Sequence, residues 1–373
     1  MEKTAQNRLA LRASLGRESI NRDFQTPHSG YHWRKLSRQR FFEGWYFRLT
    51  LTDCGQTFAF MYSIDAPAGG TAQSGGVAQI LGPDEAYYCR SFPDVAQFWA
   101  WPHRLGLGHW RSPTTLSARY LAPEVFDREV IEGYQVTATR HQGKLRSPNG
   151  SLEAEWNYQT QPVTGWGTSP QLATAGWLSY LPVFEPGWQV LMAHGLATGQ
   201  MRWRGRDYDF ENAPVYAEKN WGGAFPEKWF WLQCNAFASE PSLSITAAGG
   251  VREVLLWKEN AGIIGIHYQG QFYEFLSFKT AFTWHVEPWG YWQLTACSHQ
   301  HRAIITGIAK DNGTYVRVPT KEGMQFLCRD TTHGELRVQM WEIESDRPVL
   351  DATSQLAGLE VGGGPWHELW IKP

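Results

Sequence analysis

"PEKWFWLQCN", residues 226–235, repeats a pattern met earlier in "FEGWYFRLTL" at 42–51: a glutamate, one residue, a tryptophan and two more large side chains. Glu43 aligns with Glu227 and Trp45 with Trp229, an offset close to half of the 373-residue chain. A repeat at that spacing points to two related domains in tandem. In the second copy Trp231, Gln233 and Asn235 fall on alternate positions, so a strand would turn all three to one face. The boundary is placed near 210, in "RDYDFENAP". That gives a tail over 1–25, a first domain over 26–210 and a second over 211–373. A pocket between two such domains is a common place for a small-molecule site.

Outward from these stretches, most of the chain reads as strands. "LEAEWNY" at 152–158 alternates Leu152, Ala154, Trp156 and Tyr158 on one face, and "ELRVQMW" at 335–341 does so with Leu336, Val338 and Met340. Turn signals separate such runs: "HQGKL" at 141–145, "YQGQF" at 268–272, "PWGY" at 288–291 and "KDNGTY" at 310–315. Helical candidates are few and short, chiefly "APEVFDREVIEG" at 122–133. The expected fold class is all-β, built as two tandem barrels or sandwiches with few short helices.

A formal net charge of −2 gives no electrostatic case for nucleic acid. The five cysteines form no C-x-x-C pair, which fits a reducing compartment rather than a disulfide framework or a zinc site. Residues 1–25 mix both charge signs without an apolar run, so no secretory signal is expected there. The 20 tryptophans are the loudest feature, since each brings a large apolar face and one N–H donor.

G-x-S-x-G, P-loop and H-E-x-x-H motifs are all missing. His299 and His301 form H-x-H with no third ligand nearby in sequence, which reads as a strand end rather than a metal site. What remains is acids beside aromatic rings, Glu43 in "FFEGWYF", Glu218 in "YAEKNWG" and Glu227 in "PEKWFW", together with Asp330 in "CRDTT", flanked by Arg329. A carboxyl group among rings loses solvation, keeps its proton to higher pH and can act as a general acid. Nearby ring faces can stabilise a carbocation. Each acid also has a plainer reading. Glu218 can pair with Lys219, Glu227 can sit exposed beside Lys228, Asp330 can be a turn residue, and Glu43 can be held structurally.

At these residues the sequence resembles the tocopherol cyclases of cyanobacteria and plants. The similar segments are "TPHSGYHW" (26–33), "RFFEGWYFRLTL" (40–51), "FAFMYSI" (58–64), "ATAGWLSYLPVFEPGWQVL" (173–191), "VYAEKNWGGAFPEKWFWLQCN" (215–235), "LSITAAGG" (243–250) and "AGLEVGG" (357–363). Residues 1–25 fall outside them and lack plastid transit character, so the cyanobacterial type is expected. The wider relatives include carotenoid hydratases and imply lipocalin-like β-barrels, in agreement with the half-length repeat. In those hydratases an acid two positions after a tyrosine is held to protonate the alkene. Tyr216-Ala217-Glu218 is the matching spot, with glutamate where they carry aspartate.

The resemblance implies redox-neutral closure of a prenylated benzoquinol to a chromanol, with no cofactor. An acid protonates the alkene, the phenolic oxygen attacks the tertiary cation, and a base takes the phenolic proton. On this reading Glu218 is the donor, held with the quinol oxygens by Tyr216 and Asn220. Glu43 is the second carboxylate. Trp45, Trp221, Trp229 and Trp231 line the pocket with Gln233 and Asn235. The expected partner is a prenylquinol, with peripheral contact to a membrane and neither nucleic acid nor an obligate protein partner. A cytoplasmic place, against an internal membrane, follows. Competing readings are a prenyl-lipid carrier without catalysis, a carotenoid 1,2-hydratase and a carbohydrate-binding protein.

Overall fold

The computed structural model describes residues 25–34, 40–113, 116–168, 171–181, 186–254 and 257–372, so nearly all of the expected N-terminal tail lies outside the described residues. The first half of the chain forms β1 (Phe42–Leu51), β2 (Gln56–Asp65), β3 (Gly75–Gly82), β4 (Ala86–Phe92), β5 (Phe98–Ala100), β6 (Gly106–Arg111), β7 (Glu132–Thr137), β8 (Arg140–Arg146), β9 (Leu152–Thr164), β10 (Gly187–Trp203) and β11 (Arg206–Gly222). The second forms β12 (Lys228–Cys234), β13 (Ser244–Val254), β14 (Trp257–Tyr268), β15 (Gln271–Leu276), β16 (Ala281–Val286), β17 (Tyr291–Cys297), β18 (His301–Ile308), β19 (Thr314–Thr320), β20 (Gly323–Glu342), β21 (Pro348–Gly363) and β22 (Trp370–Lys372). A short α-helix, α1 (Pro123–Glu129), stands where "APEVFDREVIEG" predicts it, with proline at its start.

These strands make two all-antiparallel sheets. The first runs β4-β3-β2-β1-β11-β10-β9-β8-β7-β6-β5, and the second β15-β14-β13-β12-β21-β20-β18-β17-β16-β22, with β19 added on β20. Each rolls around its own core. In the first, Tyr62 on β2 stacks on Tyr134 on β7 with centroids 3.9 Å apart, although these strands are far apart in sheet order. In the second, Phe230 on β12 packs edge-on against Trp284 on β16 at 5.2 Å. The lipocalin-like expectation holds in this form: curled sheets whose end strands do not pair with one another among the described residues.

The repeat is structural. β1 and β12 hold the same position, each between the next strand in sequence and a late strand, β11 or β21. Strand alternation decides what each face does. On β1, Phe47, Leu49 and Leu51 enter the first core, while Tyr46 packs toward the second sheet. On β12, Phe230 and Leu232 enter the second core, while Trp229 and Trp231 pack toward the first sheet. Two rolled sheets therefore meet back to back along a seam. The fully buried Arg48 ties it, donating to Gln233 Oε1 at 3.3 Å, to the Thr332 carbonyl at 2.9 Å and to the Leu356 carbonyl at 2.5 Å.

Two expectations need correction. The sheet changes at 223–227, not near 210, because "RDYDFENAP" lies inside β11; its polar composition marks an exposed strand end, not a linker. "HQGKL" is not a turn but the body of β8, and the turn sits just before it. Gly143 is there because Trp156 of β9 lies across it: any Cβ would run into the indole.

Candidate active site

Where the two sheets separate along the seam, a cavity opens. Its walls come chiefly from β1, β2, β10 and β11 on one side and β12, β13, β14, β19, β20 and β21 on the other. Tyr46, Trp188, Phe225, Trp229 and Trp231 are among the aromatic residues that line it. Gly249, Gly250 and Gly262 lie on its second-sheet side, and at Gly249 and Gly262 a Cβ would run into Phe230, Phe282 and Trp284 of the second core.

Glu218 sits in this wall on β11, directly across the strand pair from Tyr46 on β1. Its side chain is buried, with the residue 7% exposed. Tyr216 O–H donates to its Oε2 at 2.6 Å, Trp231 Nε1 donates to the same oxygen at 3.0 Å from the opposite sheet, and the Trp188 indole also bonds it. Burial pushes the Glu218 carboxyl up to about 7, the nearby Glu360 charge pushes the same way, and the three donors hold it back. At neutral pH such a group is close to half protonated and can give its proton away.

The donors set a clear sign. Tyr216→Phe removes a bond to the charged form, so the carboxyl should hold its proton to higher pH. The falling, alkaline limb of a pH–rate profile that needs protonated Glu218 should then move upward. An unmoved or downward limb would remove Glu218 from the proton-donor role.

A second acid lines the cavity that sequence reasoning passed over. Glu360 on β21 lies directly across from Trp231 on β12, accepts a hydrogen bond from Trp229 Nε1, and is pushed above the ordinary carboxylate range by burial. Gly362 allows that contact, since a Cβ there would run into the Trp229 ring. Across the next strand pair stands Asp330 on β20, register partner of Glu360. It is buried, so it is not the turn residue its neighbours imply. Burial first, then the Glu360 and Glu85 charges, push it well above the usual range, with Arg48 opposing. Asn220 also lines the cavity. Among the described residues no group of three His, Cys, Asp or Glu side chains is placed to hold a metal.

The chain matches the family model "Tocopherol cyclase-like" over residues 39–363. It belongs to that family. It is 44% identical to "Probable tocopherol cyclase, chloroplastic" of Oryza sativa subsp. japonica, over 94% of this chain and 81% of the relative. It is 43% identical to "Tocopherol cyclase, chloroplastic" of Zea mays, over 94% of this chain and 80% of the relative. The crystal structure of CghA, at 11% identity, superposes with a TM-score of 0.52, covering 92% of this chain and 97% of that one. That last likeness concerns the fold alone.

The remaining sequence candidates of this family member divide between the cavity and other places. Trp229, Trp231, Glu218, Tyr216 and Asn220 come together at or beside the cavity. Gln233 and Asn235 share the face of Trp231 but lie deeper in the seam, outside the lining. Gln233 receives Arg48, and Asn235 donates to the Val215 carbonyl at 3.0 Å. Trp45 reaches the cavity edge, yet its ring packs into the first core, 6.2 Å from those of Tyr31 and Phe98. Glu227 is exposed and pairs with Lys258 at 2.5 Å, the plainer of its two readings.

Glu43 does not join Glu218. It lies on the other face of the first sheet, where neighbouring strands alternate: Trp45 pairs with Lys219 and Tyr46 with Glu218. There it forms a fully buried ion pair with Lys219 and accepts from the His32 backbone N–H at 2.9 Å. Burial alone would raise its pKa, but Lys219 and His32 outweigh that and keep it low, the wrong direction for a proton donor. Lys219 also donates to the Gly30 carbonyl at 2.7 Å and to His32 Nδ1 at 3.1 Å, so its three N–H bonds meet three acceptors. Trp221 belongs to this cluster as well. It stacks on His32 with centroids 4.0 Å apart and rings within 2° of parallel.

Proposed function

We propose that this protein closes a prenylated benzoquinol to the chromanol ring of a tocopherol, by acid-catalysed, redox-neutral cyclisation. The observation that carries the reading is a protonatable carboxyl, Glu218, fixed by three donors in an aromatic cavity between the sheets. The family membership supports the reaction. Glu218 protonates the trisubstituted alkene, positive charge falls on the tertiary carbon, and the phenolic oxygen attacks it. The faces of Trp188, Trp229 and Trp231 stabilise the cation through their quadrupoles. Asn220, which lines the same cavity, bonds a quinol oxygen on this reading. The quinol and the chromanol are at the same oxidation level, so the balance needs no electron carrier. Orientation of oxygen and alkene supplies much of the remaining rate.

The test is anaerobic incubation of purified protein with reduced dimethyl-phytylbenzoquinol, followed by chromatography. Chromanol in the product supports the cyclase. A hydrated, open-chain alcohol would mean that water captures the cation, as in a hydratase. Tight binding with neither product would mean a carrier.

The substrate's long prenyl chain also bears on location. Trp177 and Tyr180, 68% and 62% exposed, stand in the short 3-10 turn Gly176–Tyr180, whose Ser179 lines the cavity, and exposed Phe278 lines the other sheet's side of it. These rings fit a peripheral contact through which a lipid substrate enters from a bilayer. No helix among the described residues is long and apolar enough to cross one. The five cysteines are all free, which fits a cytoplasmic place beside an internal membrane. Trp177→Ser with Tyr180→Ser should lower co-sedimentation with phosphatidylcholine vesicles at least severalfold and raise KM for vesicle-borne quinol. Unchanged sedimentation and KM would sink the contact.

A further inference from the structure

Protonating the alkene is half of the proton inventory; ring closure also frees a phenolic proton. We propose that Glu360 is the catalytic base that takes it, that Asp330 is the positioning residue that keeps Glu360 competent, and that Tyr46 returns the proton to Glu218. This rests on the cyclase reading above.

Placement comes first. β11 and β21 occupy equivalent central positions in the two sheets, and each turns one carboxyl to the cavity: Glu218 opposite Tyr46, Glu360 opposite Trp231. The acid and the base thus stand on different walls, and substrate lies between them. Trp229 Nε1 bonds Oε1 of Glu360 and Cys328 bonds the same carboxyl, whose remaining lone pairs are left for a phenol.

Asp330 is 1% exposed, neither of its oxygens makes a well-formed hydrogen bond among the described residues, and only the Thr331 backbone N–H and the Arg48 charge favour its ionised form. An ionised carboxylate so placed is very costly, so this one keeps its proton. Its register partner across β20 and β21 is Glu360, and a protonated Asp330 has an O–H to offer it. The pair then holds one proton and one charge, as two adjacent carboxyls do. Cys328 is also hydrogen-bonded to Glu360, while Arg48 and Glu85 act on Asp330 from neighbouring elements.

The Tyr46 hydroxyl is buried without a hydrogen-bond partner, in a place where the charges of Asp330, Glu360 and Glu218 all act on it. It bonds neither carboxyl as it stands, and its free O–H is what would carry a proton between the two walls. The step balances. The Glu218 O–H breaks as the new C–H forms; the phenolic O–H breaks as C–O forms, and Glu360 gains that proton. Tyr46 then gives its own proton to Glu218 and takes one from Glu360. Nothing is oxidised or reduced.

Chromanol formation would be followed from pH 4 to 9 in wild type, Glu360→Gln, Glu360→Asp, Asp330→Asn and Asp330→Leu, with quinol binding read by tryptophan fluorescence as the folding control. Glu360→Gln should lower kcat about a hundredfold or more, with KM within about threefold, and should lose the rising acid limb. Glu360→Asp should recover at least about tenfold over Gln. Asp330→Asn keeps a donor and should leave the acid limb in place. Asp330→Leu removes the donor from the charged form, so the limb should move to higher pH by about one unit. A Gln variant with near wild-type kcat and an intact acid limb would overturn Glu360 alone. A limb that moves down in Asp330→Leu would overturn the shared proton. A wild type that binds quinol and yields no chromanol would instead overturn the cyclase reading, and this inference with it.

Discussion

Glu218→Gln is expected to lower kcat for chromanol formation by about 10²–10⁴, the usual worth of one positioned acid. Glutamine keeps the shape and still accepts from Tyr216 and Trp231, so quinol binding should survive. Only the transferable proton is gone. The wild-type rate should fall as pH rises through about 7, because the donor is then lost; any residual rate in the variant should lack that limb. A second consequence concerns stability. The folded carboxyl holds its proton far more tightly than the unfolded one, whose pKa is near 4.5. Between the two values the folded state binds more protons, so stability falls as pH rises, by on the order of 3 kcal/mol once both are passed. Glu218→Gln removes that penalty. It should be more stable than wild type at pH 8 and about equal at pH 4, by urea denaturation. Wild-type kcat in the folded variant would move the acid to Glu360 or Asp330.

Lys219→Met should be the most destabilising single change in the first sheet, by about 3–5 kcal/mol. Lys219 and Glu43 are both without solvent exposure, and Glu43 is left with only His32 when the ammonium goes. A buried carboxylate without its cation must be protonated or hydrated, and both cost. The Gly30 carbonyl and His32 Nδ1 also lose their donor, so the segment that carries His28 and His32 should loosen. Glu43→Gln in the same chain should recover part of the loss, because the uncompensated charge is then gone. The two predictions separate the acids. The Glu43–Lys219 pair lies on the face away from the cavity, so the double variant should keep kcat within a few-fold per folded molecule. A hundredfold loss of kcat there, at full folding, would return Glu43 to the chemistry.

Much of this was legible in the sequence for one physical reason: a strand has a period of two. Alternation read directly gives the strands, the shared face of Trp231, Gln233 and Asn235, and the neighbourhood of Tyr216 and Glu218. The half-length repeat gives two sheets, and acids set among aromatic residues do mark burial, as Glu43 and Glu218 show. Alternation does not say which face meets the core and which meets the other sheet. The two copies differ by one residue in that respect, so Trp45 turns inward and Trp229 outward. The same one-residue step sends Glu43 and Glu218, three strand-pair positions apart, to opposite faces. Glu360 carried no local signal, because "AGLEVGG" holds no aromatic residue and its tryptophan arrives from β12. Asp330 looked like a turn residue for the same reason. Local sequence sets the face a side chain shares; only the packing of two rolled sheets decides which carboxyls meet across the cavity.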